Sequence, residues 1–161
     1  QMSDREYLLR KIRHVADYQF GKNVGEKLFP DNVSLTLSRR TGRVRHVYLD
    51  GKLLATLRPS DGLFSIAIAG AERLMEIGCV NAMLVKVQDE ISTFIAKGRN
   101  VFAKHVVSAS KEIRPSEEVV VVNSENRILA VGKALLSGNE MGFFKSGVAV
   151  RVRRGSEEKG H

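Results

Sequence analysis

In the stretch FIAKGRNVFAKHVV, residues 94–107, three cationic side chains, Lys97, Arg99 and Lys104, surround a single glycine, Gly98. Cations at this spacing suit the binding of an anion, and arginine adds a planar fork that fits phosphate oxygens. A helical pattern stops at the glycine, so the partial negative charge of a helix end accounts for Lys97. Arg99 and Lys104 lie beyond that stop and need another reason. A residue without a side chain lets a bulky backbone come close, and the junction reads as a phosphate-facing loop.

Two further clusters carry the same chemistry. In GVAVRVRRG, residues 147–155, Val148, Val150 and Val152 alternate with Ala149, Arg151 and Arg153. That alternation gives a strand one apolar and one basic face, with Arg154 extending the basic end. An edge strand that carries charge to avoid pairing with another chain is the competing explanation. In SRRTGRVRH, Arg39, Arg40, Arg43 and Arg45 crowd one hairpin, four guanidiniums within seven residues. They repel one another unless an anion or an acid is near, so the hairpin reads as a second phosphate contact, against a plain exposed turn.

Other chemistries lack their residues. His14, His46, His105 and His161 are scattered without ligand spacing, and the single cysteine, Cys79, supplies neither a zinc site nor an internal disulfide. No metal and no cofactor are expected. Within MEIGCVNAML, Cys79 reads as a buried, inert thiol, which fits the cytoplasm. The sequence has no G-x-S-x-G, no P-loop and no dinucleotide fingerprint. Glu72 and Glu76, one helical turn apart, read as solubilising charges rather than an acid–base pair. The expectation is a binding protein and not an enzyme.

The elements that must hold these clusters make an α+β arrangement. In SDREYLLRKIRHVADYQF, Ser3 and Glu6 have capping-box spacing, and Leu8, Leu9, Ile12, Val15, Ala16 and Phe20 share a helical face before Gly21. Arg10, Arg13 and His14 fall away from that face, on a side that is either merely solvated or open to a partner. From Val33 the period becomes two: VSLTLS, RVRHVYL, KLLATL and LFSIAI, joined by the turns RTG, DG and PSDG, predict a four-stranded antiparallel meander. Residues 69–78 predict a short helix that returns over it.

A second unit begins near Ala82 with the strand MLVKV and the helix QDEISTFIAKG, whose apolar face is Ile91, Phe94 and Ile95. Strands alone follow: NVFAKHVV, EEVVVVN, RILAVGKALLS and GVAVRVRR. Many short strands with one early helix predict a closed or nearly closed β-barrel, with Gly132 at a bulge or corner. The domains are expected at 1–80 and 81–155, with 156–161 a frayed tail.

Charge and length fit a binding role. The formal net charge is +8, with 13 Lys/Arg against 9 Asp/Glu in residues 1–83 and 12 against 7 in residues 84–154. Both halves are basic, which suggests a polyanionic partner, above all nucleic acid. No apolar run approaches the ~20 residues that span a bilayer, and the opening segment is too charged for a secretory signal, so no membrane partner is expected.

KGRNVFAKHVV, EIRPSEEVVVVN, ILAVGKALLSGNEM and GVAVRVRRG, in that order between Met83 and Gly155, resemble successive pieces of a PUA domain, an RNA-binding module. QFGKNVGEKLF and RTGRVRHVYLDGKLLATLRPSDGLFSIAIAGAERL resemble the small domain that precedes it in archaeal tRNA-guanine transglycosylase and the related archaeosine synthase. The resemblance implies a β-barrel-like fold that grips the tRNA acceptor stem and 3′ end, with contacts on Lys97, Gly98, Arg99, Asn100 and the terminal arginines. Base exchange in that family occurs in a separate barrel with catalytic aspartates and zinc. These 161 residues are too few for a (β/α)8 barrel of ~250 residues. The carried-over expectation is therefore a non-catalytic RNA-binding protein, with tRNA as the partner, acting either alone or beside a separate catalytic subunit. A protein-interaction module with little RNA binding stands beside it, and a small enzyme acting on a modified base is a third reading without a catalytic group.

Overall fold

Ser3 starts the first helix, α1 (Asp4–Phe20): its side-chain oxygen accepts the Glu6 N–H at 3.2 Å, and its hydroxyl bonds the Glu6 carboxylate at 3.1 Å. The helix buries Leu9, Ile12 and Ala16 and stops at Gly21, whose N–H bonds the Asp17 carbonyl at 3.0 Å. The computed structural model describes residues 1–159 and divides into two compact units, Gln1–Cys79 and a second from Val80 onward.

In the first unit a second short helix, α2 (Val24–Leu28), follows, which periodicity missed because five residues are too few to show a period. The strands β1 (Ser34–Leu37), β2 (Val44–Leu49), β3 (Lys52–Leu57) and β4 (Phe64–Ile66) form the expected antiparallel meander in sequence order. The helix α3 (Ile68–Glu76) returns over it and packs on β3. Phe29 and Phe64, both fully buried with ring centroids 5.2 Å apart, centre the core. Arg13 is not on a solvated side. Its guanidinium donates to the Phe29 carbonyl at 2.9 and 2.7 Å and pairs with Asp31 at 2.9 Å, holding the chain after α2. Cys79 is partly exposed rather than buried.

The second unit contains β5 (Leu84–Val87), α4 (Ser92–Ala96), β6 (Val101–Phe102), β7 (Val106–Ala109), β8 (Glu118–Val122), β9 (Ile128–Ala134), α5 (Gly138–Phe143) and β10 (Val148–Gly155). Its strands make a near-closed six-stranded barrel in the order β6-β10-β9-β8-β5-β7. Among the described residues only β5 and β8 pair in parallel, Leu84 opposite Val120. All five residues of β8 are buried, so EVVVV is apolar on both faces because both are covered. The expectation that only strands follow α4 is corrected by α5, which opens on a capping box: Ser137 accepts the Glu140 N–H at 3.1 Å and the Glu140 carboxylate accepts the Ser137 N–H at 2.8 Å. The capping-box spacing of Ser137 and Glu140 is legible in SGNE.

Asp89 ties the segment before α4 to the turn after β8. Its carboxylate accepts the Ser124 hydroxyl at 2.6 Å and the Ser124 N–H at 3.0 Å, and these bonds hold its pKa below the ordinary carboxylate value. Among the described residues no helix is long and apolar enough to cross a membrane.

Candidate nucleic-acid interface

The junction after α4 is closed by the backbone. The N–H groups of Lys97 and Arg99 reach the Phe94 carbonyl at 3.2 and 3.1 Å, and the Gly98 N–H reaches that of Ile95 at 2.9 Å. Gly98 has φ of 104°, a conformation that costs an L side chain strain. The Ala96 carbonyl accepts the Glu157 N–H at 2.8 Å from the segment after β10. The helix end is thus satisfied by main chain, and the cations beside it are not needed as caps.

Asn100 joins the two basic strips of the second unit. Its side-chain oxygen accepts the Val152 N–H at 2.9 Å, across 52 positions of sequence. Gly155 sits against α4 so closely that an added Cβ would lie 2.2 Å from the Ala96 oxygen and 2.6 Å from the Gly98 nitrogen. The loop 97–100 and the end of β10 therefore form one surface. Lys97, Arg99 and Arg151 are exposed there, and among the described residues they enter no ion pair. Phe94, expected on the buried face, is 56% exposed one helical turn before Lys97, which places an open aromatic ring beside the cations.

The remaining arginines of β10 have acids for neighbours. Arg153 donates to the buried carboxylate of Glu118 at 2.6 and 3.1 Å, so its charge is matched within the barrel. Arg154 faces Glu158, with a nitrogen–oxygen distance of 3.9 Å to its carboxylate and 3.1 Å to its carbonyl. The simple two-faced strand does not hold. Ala149 and Val150 are both fully buried, and a bulge between Val152 and Arg154, opposite Gly132 and Val131, leaves Arg153 unmatched in the register. A Cβ at Gly132 would lie 2.2 Å from the Arg151 oxygen, which explains the glycine. Nor is β10 an edge, since it lies between β6 and β9.

The expected fraying after β10 is also corrected. The N–H groups of Ser156, Glu157 and Glu158 bond the carbonyls of Leu129, Ala96 and Gly155. Gly160 and His161 lie outside the described residues. Sequence reasoning passed over Glu118 and Glu158, although an acid inside a basic run, as in RRGSEEK, is the kind of signal that marks a partner.

Lys104 is exposed but stands toward the other end of β10, where the Ala103 N–H bonds the Gly147 carbonyl at 2.9 Å. His105 meets Phe102 edge to face, centroids 6.4 Å apart. In the first unit, Arg39, Arg40 and Arg43 are exposed on the β1–β2 turn. Arg45 is half-buried, the extra residue where the register steps from Thr36 opposite His46 to Leu37 opposite Val44. His46 shares a 2.8 Å hydrogen bond with the Thr36 hydroxyl, a structural contact. Among the described residues none of these four arginines enters an ion pair. No group of three or more His, Cys, Asp or Glu among the described residues is arranged to hold a metal ion.

Comparison with known proteins separates the same two segments. Residues 10–79 match the patch-forming domain C2 of tRNA-guanine transglycosylase, and residues 83–156 match the PUA domain. The chain is 46% identical over 155 residues to tRNA-guanine(15) transglycosylase of Pyrococcus furiosus, covering 96% of this chain and 26% of that enzyme. With the enzyme of the same name from Methanothermobacter thermautotrophicus it shares 44% identity over 147 residues, 91% of this chain and 22% of the enzyme. It therefore spans about a quarter of the length of these curated relatives. Among solved structures, a hypothetical protein of Pyrococcus horikoshii has the same fold, with a TM-score of 0.72 at 21% identity over 95% of this chain and 92% of that one.

Proposed function

This chain is a member of the C2–PUA family found at the C-terminal end of archaeal tRNA-guanine(15) transglycosylase, and on that premise we propose that it is a non-catalytic module that grips the acceptor stem and 3′ end of tRNA. The observation that carries the reading is the joining of loop 97–100 to β10 through Asn100 and Val152, with Lys97, Arg99 and Arg151 exposed and unpaired on one surface. Phosphates of an A-form stem meet such a surface by shape and charge, while Phe94 offers a face on which an unpaired base stacks. In this reading Arg153 and Asn100 position the surface more than they touch RNA, Lys104 extends it along β10, and Arg154 belongs to its rim. In this reading base exchange is left to a separate catalytic subunit.

Binding of a tRNA should weaken with salt, the logarithm of affinity falling by about 0.7–0.9 per neutralised phosphate for each tenfold rise in salt. Three cations on the PUA surface and three on the C2 hairpin lead to an expected slope of about 4–5. Fluorescence titration across a salt series measures it. A flat response removes phosphate neutralisation as the source of affinity.

The hairpin makes its own contribution in this reading. Replacing Arg39, Arg40 and Arg43 by alanine in the full chain should weaken tRNA binding and lower the salt slope by about 2–3. An unchanged slope would make that turn a spacer or a protein dock. The second reading, a protein dock, draws on Phe143 and Phe144, which are 77% and 42% exposed and lie ring to ring at 5.8 Å.

A further inference from the structure

The notch between Gly98 and Gly155 already holds an anion, one that the chain supplies. The Glu158 carboxylate accepts the Gly155 N–H at 2.9 Å through Oε1, and the same oxygen lies 2.8 Å from where a Cβ on Gly98 would stand. Its other oxygen is 3.9 Å from the Arg154 guanidinium. An acid beside the C-terminal carbonyls of a helix is electrostatically disfavoured, so its position there depends on the donors around it. The donor is the Gly155 N–H, and the Arg154 guanidinium stands at ion-pair distance; a main-chain N–H and a guanidinium are the pair that holds phosphate oxygens elsewhere.

We propose that this notch is a binding site for one phosphodiester group of an RNA backbone, held by the Gly155 N–H and the Arg154 guanidinium, and that the Glu158 carboxylate occupies it until RNA displaces it. The proposal rests on the RNA-binding reading and adds a ligand group and a competitor to it. A carboxylate and a phosphodiester are both monoanions that present two oxygens to such donors. The absence of a side chain on Gly98 leaves the room, since a Cβ there would meet only the Glu158 carboxylate.

Displacement asks little of the fold. The Glu158 side chain is 36% exposed and its pairing with Arg154 is long, so the main bond to be broken is that from the Gly155 N–H, which a phosphate oxygen replaces. The backbone of the segment is held independently, by the Glu157 N–H on the Ala96 carbonyl and the Glu158 N–H on the Gly155 carbonyl. Rotation of one side chain, without loss of those bonds, opens the notch. The acid then acts as a filter: it is displaced by a backbone that also engages Lys97 and Arg99, and it turns away anions that do not.

The test uses the full chain, an acceptor-stem minihelix and inorganic phosphate as probes, and the variants Glu158→Ala and Glu158→Gln. Glu158→Ala should bind the minihelix about 3- to 10-fold more tightly. Its salt slope should steepen by about 0.7–0.9, one further phosphate contact. In nuclear magnetic resonance the Gly155 amide should respond to phosphate at lower concentration than in the wild type. Glu158→Gln, which keeps the cover and removes the charge, should fall between the two and decides the matter if the alanine variant unfolds. Unchanged or weaker RNA binding in both variants, with a Gly155 amide indifferent to phosphate, would overturn the proposal and leave Glu158 a structural latch. Should wild type and variants all fail to bind RNA while the Gly155 amide of Glu158→Ala answers to phosphate, the anion site stands and the RNA reading falls.

Discussion

Replacing Lys97 and Arg99 together by alanine is expected to weaken binding of an acceptor-stem minihelix about 30- to 150-fold with the fold intact. Each side chain is exposed, unpaired among the described residues and attached to a junction whose backbone is already satisfied. Their removal therefore takes charge-assisted hydrogen bonds from the complex and nothing from the free protein. At about 1–1.5 kcal/mol for each such bond, the pair accounts for about 2–3 kcal/mol, which is the fold-change stated. Whole tRNA should lose the same amount as the minihelix, and an anticodon hairpin should compete poorly with either. Competition titration with the three RNAs, alongside circular dichroism of the variant, measures this. A hairpin that competes as well as the minihelix, or a silent double variant, would mean that the cations only complete a helix end.

The second large effect is on stability. Gly155→Ala should destabilise the PUA unit by about 2–3 kcal/mol, an overpacking cost, because the new methyl would stand 2.2 Å from the Ala96 oxygen and 2.6 Å from the Gly98 nitrogen, both main chain. For a domain of this size that lowers the melting temperature by about 10–20 °C. Gly98→Ala should cost less, about 1 kcal/mol, since its Cβ meets only the movable Glu158 carboxylate and the strain comes from φ of 104°. Thermal melts of the two variants rank them. If Gly155→Ala melts with the wild type, β10 has room to withdraw from α4 and the close approach is not required.

Both arguments draw on what could be read before any coordinates. The period change at Val33, the turns RTG, DG and PSDG and the cap at Ser3 determined α1 and the meander, because these are local backbone preferences that survive into the fold. The ordered pieces from KGRN to GVAV identified the PUA barrel, and Gly132 marked its bulge because only a missing side chain admits the Arg151 carbonyl. The cationic character of loop 97–100 and β10 was equally plain.

Tertiary structure decided which of those cations are free. Arg13 and Arg153 look like surface charges in the sequence, yet one holds the Phe29 carbonyl and the other a buried Glu118, contacts that span 16 and 35 positions and leave no local trace. Helices of five or six residues, α2 and α5, were invisible to periodicity for want of length. The strict alternation read into β10 fails where bulges shift its register and both sides are covered. Above all, the sequence set Gly98 and Glu158 sixty positions apart, and only the return of β10 past α4 puts a carboxylate where the sequence asked for a phosphate. Residue types determine which charges a chain can offer; long-range packing decides which of them an outside partner can use.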